Sequence, residues 1–289
     1  MLIRDVLHLG TIDPLDRELI IGMILGKDRS FVLTHPEQPL EEEDFKRFQK
    51  LIQRRETHEP LAYILGEKEF FGLSFNINQF TLIPRPETEL LVEAGLKILQ
   101  GKQKTNVHKK VAVIDVGTGS GCIIISLMKS LLTANYSLPT TQLFAIDISP
   151  EALETAKENA RRHDVEKSIT FAQSNLLNQI QQDLQTFDEL IVLANLPYLS
   201  EELYQNTEPT VQNFEPKTAL VSGLDGLDHY RKLLTQFKEF SQEQRVTFLL
   251  EISHEQASIL EKILPSFGVK SHTIIPDLTG RSRMVQGTF

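Results

Sequence analysis

The sequence predicts an α/β fold, in which a mostly parallel sheet carries helices on both faces and a small helical domain precedes it. From residue 85 onward, strand-like apolar runs alternate with helical stretches, and this alternation is typical of parallel sheets. A glycine-rich turn follows the first of these strands. The last two strand-like runs have no helix between them, which predicts a terminal antiparallel hairpin.

Composition indicates an ordinary globular chain. Its 289 residues are 40% hydrophobic and 24% charged, and no apolar run reaches the ~18 residues of a membrane span. The N-terminus lacks the pattern of a signal peptide, and the single cysteine, Cys122, excludes an internal disulfide, so we expect a cytoplasmic protein without membrane contact. The net charge of −9 argues against a partner bound through phosphates, so no direct nucleic-acid contact is expected.

The first part of the chain shows helical and then strand-like patterns. Apolar residues at helical spacing predict helices within residues 15–25 and 45–52. Residues 70–83 are strand-like with turn candidates inside, which predicts a hairpin. Pro84 ends this segment, and Pro86 is well placed as the first residue of the next helix. The expected units are a helical domain at residues 1–68, a hairpin linker at 69–84 and a sheet domain at 85–289.

The sheet domain is predicted to alternate strands and helices up to its terminal hairpin. The predicted strands are residues 111–116, 143–146, 169–172, 190–194 and 246–252, the helices are 122–132, 150–162, 227–240 and 255–264, and the hairpin strands are 269–275 and 283–289.

The glycine-rich turn indicates the cofactor. It consists of Gly117, Thr118, Gly119, Ser120 and Gly121. A dinucleotide-binding turn needs a small residue where Cys122 stands, and a phosphate loop needs a Lys-Ser/Thr pair that is missing. What remains is a turn whose backbone can approach a ligand, with helix N-terminal amides for a carboxylate. S-adenosylmethionine carries such a carboxylate; a turn that serves packing alone is the alternative.

Two further strand ends complete the predicted cofactor site. Asp147 ends the second strand, where its carboxylate can accept hydrogen bonds from both ribose hydroxyls, while Ser149 caps the next helix. Asn175 and Leu176 follow the third strand. We expect the Asn175 amide at the edge of an adenine and Leu176 against its face.

The segment Asn195, Leu196, Pro197 and Tyr198 predicts methyl transfer to nitrogen. It follows an apolar strand, at the end of the sheet where open α/β folds keep their chemistry. The Asn195 carboxamide oxygen can accept one N–H of a planar nitrogen and the Leu196 carbonyl the other, while Pro197 restricts Leu196 and Tyr198 offers a flat face. Such positioning needs no metal. A strand that ends in a simple proline turn is the alternative.

Four longer segments resemble the PrmC/HemK family of glutamine-N5 methyltransferases, and the match runs from end to end. They are EPLAYILGEKEFFGLSF (residues 59–75), LIPRPETELLVE (82–93), EPKTALVSGLDGLDHYRKL (215–233) and DLTGRSRMV (277–285).

The resemblance implies a fold, a reaction and a partner. The fold is a Rossmann-like class I S-adenosylmethionine-dependent methyltransferase domain with seven strands, after an N-terminal helical bundle that recognises the release factor. The reaction moves a methyl group to the side-chain amide of the glutamine in the Gly-Gly-Gln motif of class I peptide chain release factors, leaves S-adenosylhomocysteine and supports translation termination. By position, Gly117 to Gly121 and Asp147 hold the cofactor, and Asn195 to Tyr198 grip the amide. We expect a monomer.

Two positions depart from the family pattern. The family usually has N-P-P-Y, whereas position 196 is Leu; a role for its backbone carbonyl survives with a looser backbone. A carboxylate is common where Asn175 stands. Because an amide accepts more weakly than an anion, we expect a lower cofactor affinity.

Two other functions remain open. The N-L-P-Y segment also resembles ribosomal RNA adenine-N6 dimethyltransferases, but those tend to be basic and to carry a C-terminal extra domain. The acidic charge, the N-terminal extra domain and the PRPETE segment (84–89) favour a protein substrate. A binding module that keeps the fold without transfer is the third function, and failure to bind S-adenosylmethionine would favour it.

Other conspicuous residues receive plain interpretations. We expect a basic helix face to be solvated, with an acidic partner surface as the minority hypothesis; it consists of Lys46, Arg47, Lys50, Arg54 and Arg55. Residues 201–226 are expected to be a lid over the acceptor site or a loop. The eight histidines lack metal-ligand spacing, so no metal site is expected.

Overall fold

The computed structural model describes residues 1–103, 109–134 and 140–289, and no helix in these ranges is long and apolar enough to cross a bilayer. Five helices come first: α1 (Ile3–Val6), α2 (Pro14–Leu25), α3 (Arg29–Thr34), α4 (Glu42–Glu56) and α5 (Leu61–Leu65). The Asp13 side chain caps α2 by accepting a hydrogen bond from the Leu15 N–H, and Pro14 occupies the first turn. These helices bury a core of their own, which includes Ile21 and Phe48.

A short hairpin follows the helices. Strands β1 (Glu67–Phe70) and β2 (Leu73–Asn76) pair across Phe71 and Gly72, both of which have positive φ angles, as two-residue hairpin turns require. The hairpin predicted at residues 70–83 therefore exists but lies earlier, and residues 79–83 form no strand. The backbone N–H of Ile83 donates instead to the Glu215 carboxylate at 3.3 Å.

The rest of the described chain builds one seven-stranded sheet with helices. Its strands are β3 (Val111–Val116), β4 (Thr141–Asp147), β5 (Ile169–Gln173), β6 (Glu189–Ala194), β7 (Arg245–Glu251), β8 (Ser271–Pro276) and β9 (Ser282–Thr288). Its helices are α6 (Glu89–Gln103), α7 (Cys122–Thr133), α8 (Pro150–Arg162), α9 (Gln181–Leu184), α10 (Glu201–Gln205), α11 (Pro209–Phe214), α12 (Asp228–Phe240) and α13 (Ala257–Phe267). A 3₁₀ turn at Pro86–Thr88 leads into α6, with Pro86 as its first residue.

The strand order is β5-β4-β3-β6-β7-β9-β8, and β9 alone runs opposite to the other six strands. The alternating pattern and the terminal hairpin predicted from the sequence are both confirmed. Two apolar cores cover the two faces of the sheet, so the domain has three layers. All residues of β3 and β6 are buried, as expected for central strands of such a sheet.

The strand order creates one crevice at the carboxyl edge of the sheet. The chain moves outward from β3 through β4 to β5, and then returns to β6 on the other side of β3. Val116 at the end of β3 pairs with Ala194 at the end of β6. Gly117 and Asn195 therefore leave neighbouring strands at the same level, where open α/β sheets bind their ligands.

The segment at residues 201–226 contains regular structure and is not an open loop. It holds α10, α11 and a 3₁₀ turn at Lys217–Ala219, and Leu199 forms a parallel bridge with Val221. Residues of this 3₁₀ turn line the crevice, so the lid interpretation agrees with its position.

Candidate active site

A cleft opens at the carboxyl ends of β3, β4 and β6 and brings together most of the predicted site residues. Its open space is about 1010 Å³, solvent at the mouth included. The predicted residues that line it are Gly117, Thr118, Gly119, Ser120, Asp147, Asn175, Leu176, Asn195, Leu196 and Pro197.

The glycine-rich turn combines an open face with a packed end. Gly119 has a positive φ of 55°, and a Cβ at this position would meet nothing within 4 Å, so a ligand can approach its backbone. A Cβ on Gly121 would instead lie 2.8 Å from Ile125 Cδ1 and 3.4 Å from Ala156 Cα. Gly121 does not line the cleft; the absence of a side chain there lets α7 and α8 pack closely.

A buried carboxylate that the sequence interpretation missed supports this turn. Asp115 accepts a hydrogen bond from the Thr118 hydroxyl at 2.7 Å, and burial raises the pKa of Asp115 to about 7. Its other oxygen, Oδ1, has no hydrogen-bond partner among the described residues. A carboxylate inside an otherwise apolar strand was the signal that could have identified it.

Asp147 is fixed by two backbone amides at the mouth of the turn. Its Oδ2 accepts from the Gly119 N–H at 2.9 Å and its Oδ1 from the Ser149 N–H at 3.0 Å. Burial raises the pKa of Asp147, and these N–H groups oppose that rise. Ser149 Oγ accepts from the Ala152 N–H at 3.1 Å and caps α8, as expected, so the carboxylate is not used as the helix cap.

Asn175 and Leu176 lie at the third strand end. The Asn175 backbone N–H donates to Gln179 Oε1 at 2.7 Å, and its side chain is exposed toward the cleft. Leu176 has a positive φ of 53° and is buried. This arrangement leaves the Asn175 carboxamide free to contact a ligand, because no hydrogen bond within the described residues occupies it.

Asn175→Asp is expected to tighten the binding of S-adenosylmethionine about fivefold. An ionised acceptor forms a hydrogen bond stronger than a neutral one by about 1 kcal/mol, and Asp has the shape of Asn. Isothermal titration of both proteins measures the two dissociation constants. Asn178→Asp, one turn away on the same segment, is the control, since Asn178 does not line the cleft. An unchanged constant for Asn175→Asp contradicts a direct contact.

Asn195 is oriented by a residue far away in the sequence. Its Nδ2 donates to Thr88 Oγ1 at 3.0 Å, so its Oδ1 is left for another donor. Leu196 is buried, and no hydrogen bond within the described residues ends on its carbonyl oxygen. Pro197 lines the cleft beside them. Two free carbonyl-type acceptors therefore follow β6 in adjacent residues.

Tyr198 differs from the expectation of an exposed flat face. It does not line the cleft; its ring packs against the larger core, and burial raises the pKa of its phenol to about 12. Its carbonyl accepts from Gln256 Nε2 at 2.9 Å, and the same Nε2 donates to the Gly226 carbonyl at 3.1 Å. Tyr198 thus anchors the motif to the loop before α12.

An ion pair connects the lid segment to the chain before α6. Glu215 Oε1 lies 2.5 Å from Arg85 Nη2, and the Glu215 side chain is 2% exposed. Because Glu215 also accepts from the Ile83 N–H, it holds both walls of the cleft mouth together. Sequence spacing gave no sign of this pair, whose members are 130 residues apart.

Glu215→Gln is expected to lower the free energy of unfolding by about 1–2 kcal/mol. The variant removes the charge of the buried carboxylate beside Arg85. Because the Arg85 side chain is one-third exposed, solvent screens part of the interaction and limits the loss. Glu201→Gln is the matched control, because Glu201 pairs with Lys217 in the same segment with both side chains about half exposed. In urea denaturation, the free energy of unfolding of that control should fall by at most about 0.5 kcal/mol. Equal effects of the two variants would contradict the structural role of Glu215.

The basic face of α4 is mostly neutralised within the chain. Its ion pairs are Lys46–Glu42, Arg47–Asp44, Arg54–Glu59 and Arg55–Asp16, and in the described part of the chain Lys50 has none. This agrees with the interpretation of a solvated face. Among the described residues, no group of three or more His, Cys, Asp or Glu side chains could hold a metal ion.

Comparisons with known proteins agree with this geometry. Residues 10–66 match the PrmC N-terminal domain family, and residues 107–246 match a methyltransferase domain family. The chain is 34% identical to a release factor glutamine methyltransferase from Clostridium botulinum, covering 94% of this chain and 90% of the relative. It is 36% identical to one from Koribacter versatilis with the same coverage. A bifunctional methyltransferase from Rickettsia bellii is 32% identical, and 52% of its length is covered.

Solved structures with the same fold are also methyltransferases. The human METTL16 catalytic domain in complex with the MAT2A 3′UTR hairpin 1 aligns with a TM-score of 0.54 at 16% identity, covering 93% of this chain and 90% of that one. The N-terminal domain of human METTL16 in complex with SAH aligns with a TM-score of 0.51 at 16% identity, covering 93% and 92%. At this identity the likeness shows the fold alone.

Proposed function

The chain belongs to the family of release factor glutamine methyltransferases, and on this premise we propose that it methylates the N5 amide nitrogen of the glutamine in the Gly-Gly-Gln motif of class I release factors. Its cofactor is S-adenosylmethionine, and the product is S-adenosylhomocysteine. The named relatives, at 34% and 36% identity over 94% of the chain, support the substrate class.

The single observation that carries the proposal is the pair of free acceptors after β6. A primary amide has two N–H groups and a lone pair delocalised into its carbonyl, which makes the nitrogen a poor nucleophile. Asn195 Oδ1 and the Leu196 carbonyl can each accept one of these N–H groups, which fixes the nitrogen and stabilises the positive charge that it gains during transfer. One of the two protons is then released to water.

The cleft also fits the cofactor. When bound, S-adenosylmethionine supplies a methyl group on a positively charged sulfur. The Gly119 backbone is open to a ligand, the Asp147 carboxylate keeps lone pairs for ribose hydroxyls, and Asn175 with Leu176 borders the adenine end. None of these residues has to act as a base or a nucleophile, so the chain contributes by positioning.

The remaining assignments follow the same proposal. Residues 1–68 recognise the release factor, residues 69–84 connect, and residues 85–289 bind the cofactor and transfer the methyl group. The PrmC N-terminal domain match at residues 10–66 supports the first assignment. We place the enzyme in the cytoplasm as a monomer that contacts no nucleic acid directly and requires no metal.

A ribosomal RNA adenine-N6 methyltransferase is the weaker alternative. An adenine amino group could use the same two acceptors, but the named relatives act on release factors and the chain carries a net charge of −9. RNA binding through phosphates needs clustered Lys and Arg side chains.

Mass spectrometry tests the proposal. A purified class I release factor and an unmethylated ribosomal RNA are each incubated with this protein and S-adenosylmethionine, beside the Asn195→Ala variant. A gain of one methyl group on the Gly-Gly-Gln glutamine, absent with Asn195→Ala, is the expected result. Methyl on RNA adenine alone would replace the proposal by the alternative, and no binding of S-adenosylmethionine would leave a non-enzymatic module.

A further inference from the structure

A row of buried polar groups lies behind Asn195, and its first member, Thr88, also borders the cleft. Asn195 and Glu251 extend from Ala194 and Leu250, which are paired residues of neighbouring strands. Thr88 reaches the same place from the 3₁₀ turn before α6, and both Thr88 and Glu251 are 2% exposed. The proposed function assigns neither Thr88 nor Glu251 a contact with the amide that receives the methyl group or with the cofactor.

The contacts among Asn195, Thr88 and Glu251 have a defined donor and acceptor at each step. Asn195 Nδ2 donates to Thr88 Oγ1 at 3.0 Å. The Thr88 hydroxyl is near enough to the Glu251 carboxylate to lower its pKa as a donor, and Glu251 Oε2 has no hydrogen-bond partner among the described residues. An ionised carboxylate only accepts, so it fixes where the Thr88 proton lies. With its proton directed to Glu251, Thr88 Oγ1 presents a lone pair to Asn195 and selects the NH₂ group of the carboxamide.

A carboxamide can otherwise be turned by a half rotation at little steric cost, because its oxygen and nitrogen have almost the same shape. In the reversed orientation, the NH₂ group of Asn195 would face the amide nitrogen that receives the methyl group and would repel the N–H groups of that nitrogen. We infer that Thr88 and Glu251 are positioning residues that hold the Asn195 carboxamide with its oxygen toward the methyl acceptor. This inference rests on the proposed function.

Protonation of Glu251 should exchange the donor and acceptor roles of these three side chains. A protonated carboxyl can donate to Thr88 Oγ1, which frees the Thr88 proton to donate to Asn195 Oδ1. Burial raises the pKa of Glu251 to about 7, which places the change within a testable range. Ionised and titratable groups around Glu251 are Arg85, Glu87, Cys122, Tyr198, Tyr230 and Arg283. The two arginines lower the pKa of Glu251 and Glu87 raises it, while the thiol and phenol groups stay neutral in that range because burial raises their own pKa values.

Three variants test the inference: Thr88→Val, which keeps the shape without the hydroxyl, Thr88→Ser, which keeps the hydroxyl, and Glu251→Gln. The measurements are the single-turnover rate of release-factor methylation between pH 5.5 and 8.5 and the dissociation constant of S-adenosylmethionine. We expect Thr88→Val to lose about 10- to 100-fold in rate, with cofactor binding within about twofold, and Thr88→Ser to stay within about threefold. At saturating S-adenosylmethionine, so that titration of Asp115 and Asp147 in the cofactor site does not limit the rate, the wild-type rate should fall about tenfold per pH unit below pH ~7, and Glu251→Gln should remove this dependence.

The outcomes separate this inference from the proposed function. If wild-type protein does not methylate the release factor, the proposed function fails. If it does, a wild-type rate in Thr88→Val, or an acid fall that persists in Glu251→Gln, overturns the positioning role. Should Thr88→Val not fold, the pH profile of Glu251→Gln decides alone.

Discussion

Asn195→Ala is expected to lower the rate of methyl transfer to the release factor about 10²- to 10³-fold at saturating cofactor. The variant removes one of two acceptors that hold the amide nitrogen, and it removes the one that projects from a side chain. The Leu196 carbonyl remains, because it belongs to the backbone. The nitrogen can then rotate about a single hydrogen bond and reaches the position for transfer less often.

The expected loss concerns turnover more than cofactor binding. Asn195 is held from behind by Thr88, and the Asp147 contacts with Gly119 and Ser149 lie at a different strand end. The dissociation constant of S-adenosylmethionine should therefore change less than about fivefold. Asn206→Ala is the control, since Asn206 is exposed and does not line the cleft. A loss below about threefold in the single-turnover rate of Asn195→Ala would mean that the transfer step does not use this side chain.

The position of this site could be predicted from the sequence because parallel strands end at one edge of the sheet. Once strands before Gly117 and Asn195 were identified, the two segments had to lie near each other, and the register of Val116 with Ala194 confirms that they do. The same reasoning placed Asp147 and Asn175 at this edge. Local patterns were sufficient here, since each segment directly follows an apolar strand.

The supporting residues could not be found in this way. Thr88 and Asn195 are 107 residues apart, and Thr88 stands in a segment whose pattern indicates only a helix start. Which long-range partner fills a buried position depends on how helices pack on the sheet. Glu251 did carry a signal, a carboxylate that ends the apolar run VTFLL, because an unpaired buried charge is costly and so calls for a partner.

The linker hairpin shows a second limit. Alternating apolar residues continue through residues 79–83, and this pattern alone suits a strand. In the structure Phe71 and Gly72 make the turn, and Ile83 donates its N–H to Glu215 rather than to a strand. In this register residues 79–83 would lie opposite residues 60–64, most of which belong to α5, so no strand is available for pairing, and the period of the pattern contains no information about that.

The largest effect on cofactor binding is expected from Asp147→Ala, with a dissociation constant of S-adenosylmethionine about 10²- to 10⁴-fold weaker. A carboxylate that accepts from two ribose hydroxyls makes two charge-assisted hydrogen bonds, each of which contributes about 1.5–3 kcal/mol. The alanine also releases the Gly119 N–H at 2.9 Å, so the glycine-rich turn loses its support from β4. Asp147→Asn keeps one acceptor oxygen and should lose less.

Isothermal titration of both variants measures these constants, with Asp183→Asn as the control, because Asp183 is exposed on α9 and does not line the cleft. The rate of methyl transfer should recover in Asp147→Asn when the cofactor concentration is raised, since Asp147 contacts neither acceptor oxygen of the Asn195 segment. This separates it from Asn195→Ala, whose rate cannot be restored by more cofactor. If Asp147→Ala binds within threefold of wild type, the ribose does not lie at the end of β4, and the glycine-rich turn serves packing between α7 and α8 instead.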